Sequence, residues 1–234
     1  MVKIVAEVDC NIEQMREKNM IKFDKSLTAS FDVDPQCGFT PICPDELPIV
    51  EGDSIADELN AQADFAKFRV VSKDCHPAKA PWIANSAEEV MSPVEGDYPN
   101  LDIKWPLHCA VGTKGNKLIP GLPEESRYDF VVEKGIDPLM HPYGACYHDL
   151  GESEGTGVIE WLLKQKIHTV IVGGLATDYC VKTTVLQLCK AGFEVIVNLA
   201  ACRGVNSETT NIACKEMQDA GVILITNSQE LECK

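Results

Sequence analysis

Residues 168–199 read HTVIVGGLATDYCVKTTVLQLCKAGFEVIVNL, and the change of periodicity inside this stretch decides the fold. TVIVG at residues 169–173 is short, β-branched and closed by two glycines, the pattern of a strand buried on both sides in a parallel sheet. Residues 177–191 switch to helical spacing, with Val181, Thr184, Val185 and Leu188 on one face and Gly192 as the stop. Residues 193–199 return to strand. A strand, a covering helix and a second strand form one crossover unit, and such crossovers are right-handed.

The same alternation extends in both directions. Downstream, residues 207–220 form a helix with Ser207 as its cap, and VILIT at residues 222–226 is a last strand. Upstream, residues 28–33, 68–72 and 128–133 read as strands, and residues 54–65 and 157–166 as helices. The expected class is α/β: a doubly wound, mostly parallel sheet with helices on both faces. Residues 28–234 make one domain, and residues 1–27 an N-terminal extension packed on the outside. Residues 74–127 have no strong period and many prolines, so this long connection is expected to be functional or a lid.

The 234 residues are 45% hydrophobic, enough for one sizeable core. No apolar run is long enough to span a bilayer and no leader resembles a secretion signal, so a cytoplasmic protein without a membrane partner is expected. A net charge of −15 repels a phosphate backbone and argues against nucleic acid. Eleven cysteines without any C-x-x-C pair offer neither a zinc knuckle nor a thioredoxin-like motif. Those in apolar stretches, such as Cys189, Cys202 and Cys214, read as small hydrophobes.

In an open parallel sheet, ligands bind beyond the carboxyl ends of the strands. The strand ends here carry Asp32 followed by VDPQCGF, Asp74 followed by CHP, Lys134 followed by Gly135, and GGLATDY leading into Cys180. A cysteine in the first turn of a helix lies at the positive end of the dipole, which favours the thiolate, and a nearby lysine adds to that effect. An aspartate within reach can take the thiol proton and return it to a leaving amine. Backbone N–H groups at the turn can hold an oxyanion, so the constellation suits acyl transfer through a thioester. The bland reading is a buried Asp–Lys pair beside an inert thiol, and convergence at neighbouring strand ends weighs against it. Cys109 is a rival nucleophile, but His108 beside it points the other way on an extended chain.

GGLATDYCVKTT resembles the nucleophile segment of the nicotinamidases, within the isochorismatase-like cysteine hydrolases. FDVDPQCGF, DCHP, WPLHC and VEKG resemble four more motifs of that family in the family's order, over most of the chain from Thr28 onward. The resemblance implies Cys180 as nucleophile, Asp32 as proton shuttle and Lys134 as their cationic neighbour. It also implies a cis peptide at Leu175–Ala176, with the N–H groups of Ala176 and Cys180 facing the oxyanion. Phe39, Trp105, Tyr143 and Tyr179 would line an aromatic slot for a flat ring. Asp74, His76 and His108 would hold a divalent Zn, Fe or Mn ion. Relatives often carry another histidine four residues after the first, where this chain has Ala80. Glu88, Glu89, Asp97 and Asp102 are alternative donors, and a metal-free polar cluster is the contrary reading. The implied activity is hydrolysis of nicotinamide to nicotinate and ammonia by a homo-oligomer. The alternatives are another small-amide hydrolase, such as a carbamoyl or ureide amidase, and a non-catalytic ligand-binding scaffold.

Overall fold

The computed structural model describes residues 20–234, and most of the expected N-terminal extension lies outside them. The strands are β1 (Ile21–Phe23), β2 (Thr28–Val33), β3 (Phe68–Asp74), β4 (Phe130–Lys134), β5 (Thr169–Leu175), β6 (Glu194–Arg203), β7 (Ile223–Ile225) and β8 (Leu231–Cys233). The α-helices are α1 (Ala56–Ala63), α2 (Val158–Lys164), α3 (Lys182–Lys190) and α4 (Ser207–Asp219). Six strands form a sheet in the order β4-β3-β2-β5-β6-β7, with every pairing parallel. The expected α/β class and parallel sheet are therefore present. β1 pairs in parallel with β8, which ties the start of the described chain to its end.

Alternation along the strands sorts the two faces. Ala29, Phe31 and Val33 of β2 and Val170 and Val172 of β5 pack with Val158, Leu162, Val185, Leu188 and Met217 from α2, α3 and α4. The intervening Ile171 and Ile196 meet Phe23 and Leu231 of the small β1–β8 pair. Leu59 of α1 packs nearby with Ala201 of β6. Both faces are covered, which is why the central strands read as near-continuous apolar runs.

Two local expectations differ in detail. Residues 177–191 are not one helix: a single π turn, Thr177–Val181, precedes α3. The cap of α4 is Asn206 rather than Ser207, because the Asn206 side chain accepts from the Glu208 N–H. The long connection after β3 is organised by isolated bridges, His76 with Ala110 and Ile83 with Trp105, around a small core of Trp82, Leu101 and Trp105. The backbone of His76 bonds Cys109 and Val111, and this pairing delivers His108 beside His76.

Candidate active site

The expected carboxylate is displaced by two residues. Asp32 pairs in register with Val71 of β3 and Gly173 of β5, whereas Asp74 pairs with Lys134. Asp32 therefore lies three rows below the Asp74–Lys134 row, about 10 Å at strand rise. Its carboxylate accepts from Arg69 Nε at 2.9 Å and Tyr128 OH at 3.0 Å, with Arg69 Nη2 at 2.7 Å. Asp34 follows the end of β2, where a φ of 44° turns the chain and re-aims the side chain. Its Oδ2 is 3.0 Å from Lys134 Nζ, and its Oδ1 accepts from Ser72 Oγ at 2.6 Å. The carboxylate beside Lys134 is thus Asp34, not the expected Asp32. The sequence signal was the Asp34–Pro35 pair, which marks where the chain leaves the strand.

Lys134, at the end of β4, gathers the group. Its Nζ is 2.5 Å from Asp74 Oδ1, 3.3 Å from the Pro142 carbonyl and 3.8 Å from Cys180 Sγ. Cys180 sits in the π turn that follows a cis peptide at Leu175–Ala176, as the motif implied. Asp178 of the same turn accepts from the N–H groups of Val205 and Asn206, which ties the turn to the start of α4.

Burial pulls the Lys134 pKa down, but Asp34 and Asp74 outweigh it and hold the ammonium charged. Burial raises Asp34, and Lys134 only partly offsets it. Asp74 is also raised by burial, yet the Lys134 ammonium against it carries it well below the usual carboxylate range. Burial lifts the Cys180 thiol well above its ordinary value; Lys134 opposes this, and Asp34 and Asp74 add to it. The helix start and the lysine favour the thiolate, but burial beside two carboxylates works against it. Burial thus favours the protonated thiol, with the Asp34 carboxylate raised by the same burial beside it.

Above the thiol is a narrow slot. Phe39, Trp105, Tyr143 and Tyr179 all line it, together with Ala176, Cys180 and Asp74. Trp105 stands edge-on to Tyr179 at 4.9 Å and donates from Nε1 to Tyr143 OH at 3.2 Å. Leu47 and Val205 also line the slot and carried no sequence signal. The rival Cys109 is wholly buried, does not line the slot, and has its thiol pushed up by burial.

Asp74, His76 and His108 converge as expected, with Asp74 Oδ2 at 3.4 Å from His76 Nε2 and 3.8 Å from His108 Nε2. His76 Nδ1 faces the Gly135 carbonyl at 3.0 Å and His108 Nδ1 the Pro106 carbonyl at 2.7 Å. Burial pushes the His108 pKa down to about 3, and because a carbonyl only accepts, its neutral ring carries the proton on Nδ1 and turns the Nε2 lone pair toward the Asp74 carboxylate. Two acceptors facing each other in a buried site are the arrangement that a cation resolves, and the donor set fits a divalent metal. Gly135 is required here: its φ is +68°, and a Cβ would lie 2.4 Å from the His76 ring. None of Glu88, Glu89, Asp97 and Asp102 lines the slot; Glu89 is paired with Lys104 and Asp102 with Tyr143. A third histidine, His141, stands there instead, missed in the sequence although it lies two residues before Tyr143.

A profile of the isochorismatase domain matches residues 56–229. The chain belongs to the isochorismatase family. Within it, this isochorismatase domain is 37% identical over 187 residues to the nicotinamidase of Escherichia coli, covering 77% of this chain and 86% of that protein. A solved nicotinamidase/pyrazinamidase from Acinetobacter baumanii superposes with a TM-score of 0.78 at 30% identity, over 88% of this chain and 98% of the other. The pyrazinamidase of Pyrococcus horikoshii in complex with zinc superposes at 0.67 with 26% identity, over 85% and 98% of the two chains.

Proposed function

We propose that the chain is a nicotinamide amidohydrolase that forms nicotinate and ammonia through a thioester on Cys180, within pyridine nucleotide salvage. The observation carrying this reading is the buried Cys180–Lys134–Asp34 cluster, with Lys134 Nζ at 3.8 Å from the thiol and 3.0 Å from the carboxylate, at the floor of an aromatic slot. Asp34 takes the thiol proton as Sγ bonds the amide carbon, and the oxyanion accepts from the N–H groups of Ala176 and Cys180. The protonated Asp34 then gives that proton to the amide nitrogen, the C–N bond breaks, and ammonia leaves. Asp34 next deprotonates water, which attacks the thioester carbon; the C–S bond breaks, the acid leaves, and the sulfur recovers its proton. Lys134 keeps Asp34 placed and offsets the negative charge that builds among the buried groups.

Asp74, His76 and His108 would hold a divalent Zn, Fe or Mn ion, in keeping with the zinc-bound pyrazinamidase. When bound, such an ion would supply a Lewis-acid contact for a ring nitrogen of the substrate. Trp105, Tyr143, Tyr179 and Phe39 would hold the ring flat, which favours a pyridine amide over a carbamoyl compound or ureide. The substrate is a small molecule, and no helix among the described residues is long and apolar enough to cross a membrane. A cytoplasmic homo-oligomer is part of this proposal.

The test is ammonia release from nicotinamide, pyrazinamide and carbamoyl compounds side by side, with Cys180→Ala as control. Turnover of the two ring amides, lost in Cys180→Ala with the fold intact, is expected. Preference for a carbamoyl compound would overturn the substrate. Activity of Cys180→Ala within tenfold of the parent would overturn the nucleophile.

A further inference from the structure

His141 has no role in the reaction above, yet its surroundings are unusual for a structural histidine. It is 4% exposed, and neither ring nitrogen has a hydrogen-bond partner among the described residues. Leaving a buried polar nitrogen unpaired is costly, so a histidine kept only for packing ordinarily donates at least one bond. The ring is held in place nonetheless. It stacks on His76 at 5.0 Å with 14° between planes, leans on Trp82 at 4.4 Å and meets His108 edge-on. Its backbone N–H bonds the Asn100 carbonyl, and the next carbonyl, of Pro142, accepts from Lys134. One ring nitrogen each from His76, His108 and His141 falls within 4.8 Å of the others. His76 Nε2 is likewise without a partner.

Resting on the metal reading above, we propose that His141 is a third imidazole ligand of that ion, beside His76, His108 and Asp74. It takes the place left by Ala80, whose side chain packs against the Trp82–Trp105 core, and by the loop carboxylates, which face other partners. Ligand nitrogens around a tetrahedral zinc lie about 3.4 Å apart for Zn–N bonds of about 2.0–2.1 Å, so the three rings close inward slightly on binding. Three imidazoles and a carboxylate suit a borderline divalent ion better than a site completed by water. The ion is therefore held tightly, and chelators strip it slowly.

The test titrates Co²⁺, as a spectroscopic probe, into chelator-treated parent, His141→Ala and His76→Ala proteins. Affinity is read by competition with a chromophoric chelator and geometry from the visible absorption of the ion. The parent takes up one Co²⁺ per chain, and His141→Ala weakens binding by tenfold or more and shifts the spectrum. An unchanged affinity and spectrum in His141→Ala, with binding lost in His76→Ala, would sink the His141 assignment and leave the metal site standing. A parent that binds no Co²⁺ would overturn both. Should His141→Ala fail to fold, X-ray absorption on the zinc form of the parent, without substrate, counts the ligands. Three imidazoles support the assignment, and two overturn it.

Discussion

Two aspartates stand two residues apart where β2 gives way to the following turn, Asp32 against Arg69 and Tyr128, Asp34 against Lys134 and Ser72. Asp34→Asn removes the proton acceptor and should lower turnover by about 10² to 10⁴, the worth of a positioned acid–base group. Asp32→Asn should leave turnover within a few-fold and act on stability. Ammonia release and urea unfolding of the two variants check this division, and equal losses of turnover would refute it. Burial raises the Asp32 pKa to about 6, against the pull of Arg69. Between about pH 4 and pH 6 the folded protein thus holds a proton that the unfolded chain has released, so stability falls as pH rises through that window. Burial of the ionised form accounts for a decline of about 3 kcal/mol, and urea midpoints of Asp32→Asn should lack that component.

At the scale of elements, the site depends on where strands stop and how the chain turns away. β4 ends at Lys134 and β3 at Asp74 in the same row, so register alone sets the ammonium beside the carboxylate. Gly135 then bends the chain at positive φ under the His76 ring. Gly135→Ala combines a left-handed φ, costing about 1–2 kcal/mol, with a Cβ in the space of that ring. Stability should fall by about 1–3 kcal/mol and metal affinity with it, whereas Gly192→Ala, also at positive φ but with open space around it, should reduce stability alone. Thermal melts and metal titration of the two variants separate backbone strain from displacement of His76.

At the scale of the whole molecule, the proposed ion joins the end of β3, the long connection after it and the segment after β4. An ion that binds only the folded chain stabilises it in proportion to the logarithm of one plus the ratio of its free concentration to Kd, by about 2.7 kcal/mol at a hundred times Kd. Added zinc should raise the unfolding temperature of chelator-treated protein by several degrees, and the chelator should reverse the rise. Calorimetric scans with and without zinc measure it; a temperature independent of metal would contradict a site bridging these segments.

The sequence by itself determined the order and type of the elements, because periods of two and of 3.6 are local properties of a chain. It also pointed to Cys180, Lys134 and Asp74 at neighbouring strand ends, and, through the family resemblance, to His76, His108 and the four aromatic residues. Only the tertiary structure placed Asp34, rather than Asp32, beside Lys134. That choice depends on the register of β2 against β3 and on a single left-handed residue, and neither leaves a periodic trace in the sequence. It also brought in His141, which sits in an irregular segment and meets His76 across 65 positions of chain through ring stacking alone. The protonation of Cys180 was decided there too, since the dipole and lysine legible in the sequence favour a thiolate, whereas burial beside two carboxylates, a property of packing, overrules them.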